Sequence, residues 1–165
     1  MGESCTCCFT GHRPAGMPWG SNEMDSRCLE LKYQLAKRLE KAYEAGYRHF
    51  ICGMAQGADL YFAEAVLAMK EHHPEISLEA AVPCRDQAKS WDRAQQERRE
   101  HILSLCDKAT VLQESYSPGC MQRRNKYMVD SSSRVISAFS GSTGGTMSTL
   151  LYATRQGKET DIIDI

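Results

Sequence analysis

The residues best placed to do chemistry lie in segment 50–60, where three apolar residues end at Gly53 and a second glycine, Gly57, precedes the acid Asp59. A buried strand that turns into a helix through small residues leaves free backbone N–H groups and the positive end of a helix dipole beyond the strand, and such an arrangement binds anions. Asp59 can also accept hydrogen bonds from ribose hydroxyls. Two simpler interpretations stay open: any tight turn of this kind needs glycine, and Asp59 can serve only to cap its helix.

Polar residues also follow the first predicted strand, in the turn Thr10-Gly11-His12-Arg13-Pro14. His12 and Arg13 are both candidates to contact a phosphate. Arg13 is the better candidate, because a guanidinium stays charged and binds two oxygens at once. The alternative is that Arg13 pairs with Asp59 and stiffens the rim of the site.

A third polar turn runs from Ser140 to Thr146 and places Gly144 and Gly145 at the start of a predicted helix. Backbone amides and hydroxyls in such a turn can bind a phosphate. The turn is not a G-x-x-x-x-G-K-[ST] loop, because no lysine follows the glycines, and this disfavours ATP hydrolysis of the P-loop kind. The G-x-G-x-x-G fingerprint of dinucleotide-binding domains is absent after every predicted strand.

Strand and helix patterns alternate along the chain. The predicted strands are 4–9, 49–52, 77–82, 109–112, 135–139 and 162–165. The predicted helices run from Asp25 or Ser26 to 43, from 57 to about 72, from Asp86 or Ser90 to 105, from 121 to 132, and onward from Thr146. This alternation predicts a single α/β domain over residues 1–165, with three layers and a mostly parallel Rossmann-like sheet. In such sheets ligands bind beyond the carboxyl ends of the strands, which is where the three polar turns lie.

The composition limits the class of protein. A chain of 165 residues that is 42% hydrophobic fits one globular domain. No apolar run approaches the ~20 residues that a membrane span needs, and no basic segment precedes an apolar core at the N-terminus, so we expect a cytoplasmic protein. The net charge of −1 makes nucleic acid an unlikely partner, although 93–99 and 123–126 can form local basic patches.

The eight cysteines do not have the spacing of a zinc site or a disulfide scaffold. Cys5, Cys7 and Cys8 lie in one predicted strand, the other five are scattered singly, and no C-x-x-C pair occurs. We therefore expect reduced, structural thiols and no metal site. The role of the Cys5/Cys7/Cys8 cluster stays open.

Four segments in order resemble the signature blocks of the YpsA family, which belongs to the SLOG superfamily of Rossmann-like domains. The blocks are Thr10-Gly11-His12-Arg13-Pro14, Gly53-Met54-Ala55-Gln56-Gly57-Ala58-Asp59, Arg124-Asn125-Lys126-Tyr127-Met128-Val129 and Gly144-Gly145-Thr146. The resemblance covers essentially the whole chain. It implies a nucleotide or nucleotide-derived ligand whose phosphate is held by the last glycine turn.

Two better-known branches of the superfamily share parts of this pattern. The DNA-processing protein DprA/Smf has a similar glycine turn, an R-N-R helix and a late S-G-x-x-x-T turn. The LOG enzymes release free bases from nucleoside monophosphates and carry a catalytic glutamate soon after the last Gly-Thr pair. Here Met147, Ser148 and Thr149 occupy those positions, so binding is better supported than catalysis. Asp59 and Arg124 are the candidate catalytic residues, with His12 and Glu64 as further substitutes.

The expected function is therefore a nucleotide-binding or sensing domain. Its alternatives are a LOG-like phosphoribohydrolase and a DprA-like module for nucleic acid or protein. No cofactor is expected beyond the nucleotide itself, such as a nucleoside monophosphate, ADP-ribose or NAD. The expected ligand-binding residues are Gly11, His12, Arg13, Gly53, Gly57, Asp59, Asn125, Ser140, Gly144, Gly145 and Thr146. For the basic segment 123–126 a solvated helix face is an equal alternative, and Trp91 and Tyr127 are expected to pack rather than to stack on a base.

The first long helix carries Leu29, Tyr33 and Tyr43 beside its core-facing leucines. This widens its apolar surface beyond what one sheet face requires, and together with the region around Trp91 it predicts a homodimer. In the alternative, the loop 14–23 folds over these residues and hides them.

Overall fold

The structure is a computed structural model that describes residues 2–165. Its strands are β1 Thr6–Gly11, β2 His49–Cys52, β3 Ser77–Val82, β4 Lys108–Val111, β5 Arg134–Phe139 and β6 Glu159–Asp164. Its helices are α1 Ser26–Glu44, α2 Ala58–Lys70, α3 Arg93–Leu105, α4 Cys120–Asp130 and α5 Gly145–Arg155. Every strand is followed by a helix until β6 ends the sheet.

The six strands form one sheet in the order β4-β3-β2-β1-β5-β6, and every neighbouring pair is parallel. The chain adds β2, β3 and β4 on one side of β1 and then crosses back to add β5 and β6 on the other side. The strand order therefore reverses between β1 and β5, which is where ligands bind in open α/β sheets. The predicted Rossmann-like parallel sheet is confirmed.

Different helices cover the two faces of the sheet, because successive strand residues point to opposite sides. On the first face, Phe9 stacks on Phe62 of α2 at 4.7 Å between ring centroids. The same apolar cluster includes Leu35 of α1 and Ile102 of α3. On the second face, a smaller cluster joins strand residues to α4 and α5; its buried members are Cys8, Ile51, Ala81, Met128, Val129, Val135, Leu150 and Ala153. The fold is thus three-layered, as expected.

Several boundaries differ from the sequence prediction. β1 begins at Thr6 rather than residue 4, because Glu3–Cys5 forms a 3-10 turn. α3 begins at Arg93 rather than after Asp86 or Ser90, because the carboxylate of Asp92 accepts the N–H of Gln95 and caps the helix there. β6 begins earlier than its apolar residues indicate, since it pairs with β5 along its whole length.

Six of the eight cysteines are buried, and Cys5 and Cys106 are half-buried. Cys7 and Cys8 alternate between the two faces of the sheet, and both are fully buried. Burial raises the pKa of the Cys8 thiol to about 12. Residues 2–165 contain no disulfide. Within the same residues, no helix has the length and apolar character that a membrane crossing requires.

The apolar surface of α1 is only partly hidden. Leu29 and Tyr33 are 49% and 58% exposed, so the loop 14–23 does not cover them. That loop instead places Met17 and Trp19 in the core. Tyr43 stacks on His73 and is removed from the patch. The homodimer stays a prediction.

Candidate functional site

The carboxyl ends of β1 and β5 border a cleft of about 490 Å³, which we call the switch-point cleft. Gly11 and Ala138 are paired at this end of the two strands. Segments from four loops complete the cleft. Its lining residues are Phe9, Thr10, Gly11, His12, Arg13, Ala55, Asp59, Tyr116, Pro118, Gly119, Met121, Gln122, Arg124, Asn125, Met128, Gly145 and Thr146.

Three helices begin at this cleft, and none of the three has a side-chain cap. Glycine is the N-cap residue in each: Gly57 for α2, Gly119 for α4 and Gly144 for α5. By contrast, α1 and α3 lie away from the cleft and are capped by the carboxylates of Asp25 and Asp92. An uncapped N-terminus presents unpaired N–H groups and a partial positive charge, so the cleft is built to attract anions.

The turn before α5 leaves the N-terminus of that helix open. Gly144 has φ +145°, which an L side chain rarely adopts. A Cβ on Gly145 would meet no atom within 4 Å. Nothing in the protein therefore fills the space beside this backbone. A ligand can approach it closely.

His12 positions this turn. Its Nε2 accepts the backbone N–H of Ser140 at 3.1 Å and lies 3.1 Å from the Ser140 hydroxyl. Because Nε2 accepts a hydrogen bond, the neutral ring carries its hydrogen on Nδ1. Burial also lowers the pKa of His12, which favours the neutral form. His12 therefore holds the turn in place and is not a positive charge for phosphate.

Asp59 and Arg124 are buried charges on the floor of the cleft, each 5% exposed. Arg124 donates from Nη1 to the carbonyl of Gly53 and from Nε to Oδ1 of Asn125, the latter at 2.8 Å. Asp59 accepts the N–H of Ala55 at 3.1 Å. This hydrogen bond ties Asp59 to the turn before α2. The N-cap residue of α2 is Gly57, and no side chain caps the helix. The alternative that Asp59 caps its own helix is therefore wrong.

Burial dominates the electrostatics of both groups. It raises the pKa of Asp59 to about 6, although Arg124, the Ala55 N–H and Arg13 act in the opposite direction. Burial also lowers the pKa of Arg124. No ion pair joins Asp59 to Arg13 among residues 2–165, and Arg13 is exposed, so its guanidinium remains available to a ligand.

Most of the predicted binding residues meet in the cleft, and the others support it. Gly57 has φ +86°, and a Cβ there would stand 2.9 Å from the carbonyl oxygen of His12. Gly53 lies against Arg124, and Ser140 donates a hydrogen bond to His12. Gly144 lines a neighbouring groove between α4 and α5. Glu64 does not line the cleft, because it forms an ion pair with Arg98 of α3.

One wall of the cleft was missing from the sequence prediction. Tyr116, Pro118, Gly119 and Gln122 come from the segment between β4 and α4. The sequence signals this wall only through Gly119, a glycine just before the predicted helix 121–132. Its φ of +88° at a helix start marks it as an uncapped N-terminus.

The switch-point cleft continues in two directions. An outer cleft of about 850 Å³ shares Arg13, Ala55, Tyr116 and Met121 with it and extends to Gln87, Lys89 and Trp91. A groove between α4 and α5, of about 480 Å³, shares Gln122, Asn125 and Gly145 with it and extends to Lys126, Tyr152 and Arg155. Trp91 packs against the core and also lines the outer cleft, whereas Tyr127 bonds to Glu79 elsewhere on the sheet.

Comparison with known proteins agrees with the resemblance in the sequence. The YpsA family model, described as the YspA SLOG family, matches residues 7–165. The SPbeta prophage-derived protein YoqJ of Bacillus subtilis is 32% identical over 139 residues, which cover 76% of this chain and 81% of YoqJ. A UPF0398 protein of Bacillus pumilus is 26% identical over 133 residues, which cover 79% of this chain and 70% of that protein.

Two solved structures share the fold. DNA processing protein A (DprA) from Streptococcus pneumoniae superposes with a TM-score of 0.67 at 15% identity, covering 98% of this chain and 51% of DprA. DprA from Helicobacter pylori, described for its single-stranded DNA binding mode, gives a TM-score of 0.65 at 16% identity, covering 97% and 65%. This chain thus spans about half of the first protein and less than two thirds of the second.

Proposed function

This chain belongs to the YpsA family of SLOG proteins, and on that premise we propose that it binds a nucleotide or nucleotide derivative in the switch-point cleft. The phosphate lies at the N-terminus of α5, beside Gly145 and Thr146. Arg13 supplies an exposed cation at the rim. Binding, rather than turnover, is the function that these residues support best.

The convergence of three uncapped helix N-termini carries this proposal. The helices that start away from the cleft are capped by a carboxylate. The helices that start at the cleft have glycine at the N-cap position and no side-chain cap. A carboxylate cap would place a negative charge where an anionic ligand must lie. Glycine has no side chain, so the helix N–H groups stay unpaired and the space beside them stays open. A phosphate can occupy that space and accept hydrogen bonds from the N–H groups.

Two polar side chains beside the phosphate position can orient the ligand. Asp59 accepts hydrogen bonds and Asn125 can donate from its amide, so the two can contact the hydroxyls of a ribose. The outer cleft gives room for a base or for a second nucleoside. Nucleoside monophosphates, ADP-ribose and NAD all contain a ribose linked to a phosphate.

Calorimetry of the whole chain with AMP, ADP-ribose and NAD tests the proposal, with adenosine as the matched control that lacks phosphate. We expect binding by at least one phosphorylated ligand and none by adenosine at the same concentration. Absence of binding by all three at millimolar concentration refutes the proposal. Chromatography of the same samples tests the hydrolytic alternative, because free base that disappears in Asp59→Asn would identify a phosphoribohydrolase.

A second candidate function rests on the continuity of the three clefts. Together they form a long groove with cations and aromatic rings along it: Arg13, Lys89, Trp91, Tyr116, Lys126, Tyr152 and Arg155. Basic grooves lined by aromatic residues bind single-stranded nucleic acid. The DprA from Helicobacter pylori, which shares this fold, is described for a single-stranded DNA binding mode. Net charge alone is therefore a poor reason to exclude nucleic acid.

Fluorescence anisotropy with a single-stranded oligonucleotide at several salt concentrations separates the two functions. If the groove binds the backbone, replacing Lys126 and Arg155 with alanine should lower the slope of log K against log salt by about 1.4. Alanine at Lys37 and Lys41 of α1 is the matched control and should leave the slope unchanged. Equal effects in both double variants would mean that the groove is not used.

A further inference from the structure

A second polar cleft lies at the other end of the strands from the switch-point cleft. It occupies about 340 Å³, and its lining residues are Thr6, His49, Ile51, Ser77, Glu79, Asp107, Lys108, Tyr127 and Ser131. Thr6, His49, Ser77 and Lys108 are the first residues of β1 to β4. Since these strands are parallel, the cleft lies at the amino ends of the strands, where the nucleotide site cannot reach.

Strand register brings a serine, a histidine and a glutamate together there. His49 and Ser77 are direct partners on β2 and β3, and Glu79 is two residues further along β3 on the same face. The imidazole lies along β3 and contacts both neighbours. Its Nδ1 is 2.5 Å from the Ser77 hydroxyl, and its Nε2 is 2.7 Å from Oε1 of Glu79.

Glu79 fixes the direction of the hydrogen bonds. It is 2% exposed, and its other oxygen accepts from Tyr127 and Thr110. Burial raises the pKa of this carboxyl, but the hydrogen bonds from His49, Tyr127 and Thr110 outweigh it and lower the pKa to about 2. The carboxylate is therefore ionised and only accepts, so Nε2 of His49 carries the hydrogen and Nδ1 is left to accept from Ser77.

We propose that Ser77, His49 and Glu79 form a second, nucleophilic site that accepts acyl groups from small activated esters. Ser77 is the nucleophile, His49 the general base, and Glu79 the group that orients the imidazole. Lys108 pairs with Glu79 in register and lines the cleft, so it supplies the positive charge for the oxygen of the tetrahedral intermediate.

The proposed reaction needs no further reactant than water. Oγ of Ser77 bonds to the ester carbon while Nδ1 of His49 takes the hydroxyl proton. Collapse of the intermediate breaks the bond to the alkoxide, which leaves with that proton as an alcohol. Water then adds to the acyl-serine with His49 again as base, and a carboxylic acid and the free Ser77 hydroxyl result.

A purely structural network would hold the same side chains without a reactive serine. Tyr127 and Thr110 alone tie Glu79 to α4 and β4. The difference between the two roles is therefore the reactivity of Ser77, not its hydrogen bonds. A fluorophosphonate measures this reactivity directly, because serine displaces fluoride from phosphorus only when a base removes its proton.

The test is labelling of the full chain with a fluorophosphonate, followed by intact mass and peptide mapping. We expect one adduct, on Ser77, and slower labelling by on the order of 100-fold in His49→Gln. Ser131→Ala, which removes another hydroxyl of the same cleft, is the matched control and should label at the normal rate. No adduct, an adduct on another residue, or unchanged labelling in His49→Gln would each overturn the proposal. The adduct on the unaltered protein is decisive even if a variant fails to fold.

Discussion

Gly53 and Arg124 are fitted to each other: a Cβ on Gly53 would stand 2.7 Å from Nη1 of Arg124, the atom that donates to the Gly53 carbonyl. The same Cβ would stand 2.9 Å from Oδ2 of Asp59. One missing methyl group therefore allows a buried guanidinium and a buried carboxylate to share the floor of the switch-point cleft. Glycine here serves a close approach and not an unusual backbone angle.

Gly53→Ala should destabilise the protein, because Arg124 is buried and has little room to move away from the added methyl. We expect a loss of about 1–3 kcal/mol in the free energy of unfolding, measured by urea denaturation. Gly145→Ala is the control, since a Cβ at that position meets no atom within 4 Å. Equal stability of the two variants would show that Arg124 moves freely.

Gly145→Leu should weaken nucleotide binding strongly without unfolding the protein. The side chain would occupy the open space at the start of α5, where we place the phosphate, and leucine favours a helix. We expect AMP or ADP-ribose to bind more than tenfold more weakly, a change of about 1.4 kcal/mol, by calorimetry. If the variant keeps both its melting temperature and its affinity for these ligands, the phosphate does not bind beside Gly145.

Asp59→Asn should stabilise the protein at neutral pH. The pKa of Asp59 rises from 3.8 to about 6 on folding, mainly through burial. The folded state therefore holds a proton that the unfolded state has released, and stability falls as pH rises from about 4 to about 6. An asparagine lacks this titration, so the variant should gain on the order of 3 kcal/mol at pH 7.5 and only a small fraction of that at pH 4. A gain that is the same at both pH values would contradict the assignment.

Glu23 should make the protein sensitive to acid. The side chain of Arg98 bonds to both Glu23 and Glu64 and so ties the β1–α1 loop to α2 and α3. Hydrogen bonds from Arg98 and Lys32 outweigh partial burial and lower the pKa of Glu23 from 4.5 to about 2. Because the folded pKa is the lower one, this stabilisation is complete above pH 4.5 and is lost as pH falls toward 2.

Melting temperatures across that pH range test the role of Glu23. The unaltered chain should lose stability more steeply with falling pH than Glu23→Gln does. Glu97→Gln is the control, because Glu97 forms an exposed pair with Arg93 on the surface of α3 and such pairs contribute little. Parallel curves for all three proteins would mean that Glu23 is not held by Arg98 in solution.

Strands such as 49–52 and 77–82 were predictable, because each is a short apolar run followed by a turn. The full length of β6 was not, because its first residues are polar and only pairing with β5 defines them. The start of α3 was not, because Asp86, Ser90 and Asp92 are all acceptable caps and only tertiary packing selects among them. For the site, the glycine turns indicated which loops meet at the sheet edge. The roles of His12 and Asp59 depended on partners distant in sequence, Ser140 and Arg124, and no local pattern carries that information.

The pairing of β1 with β5 also affects how the protein is made. The two walls of the switch-point cleft come from opposite ends of the chain, with Gly11 next to Ala138. During synthesis on the ribosome, β1 to β4 can associate as they emerge, but β1 keeps an open edge until β5 has been released. A ligand that binds only the finished cleft stabilises completed chains and not partial ones. The reversal of strand order thus means that the proposed ligand can bind only late in the synthesis of each molecule.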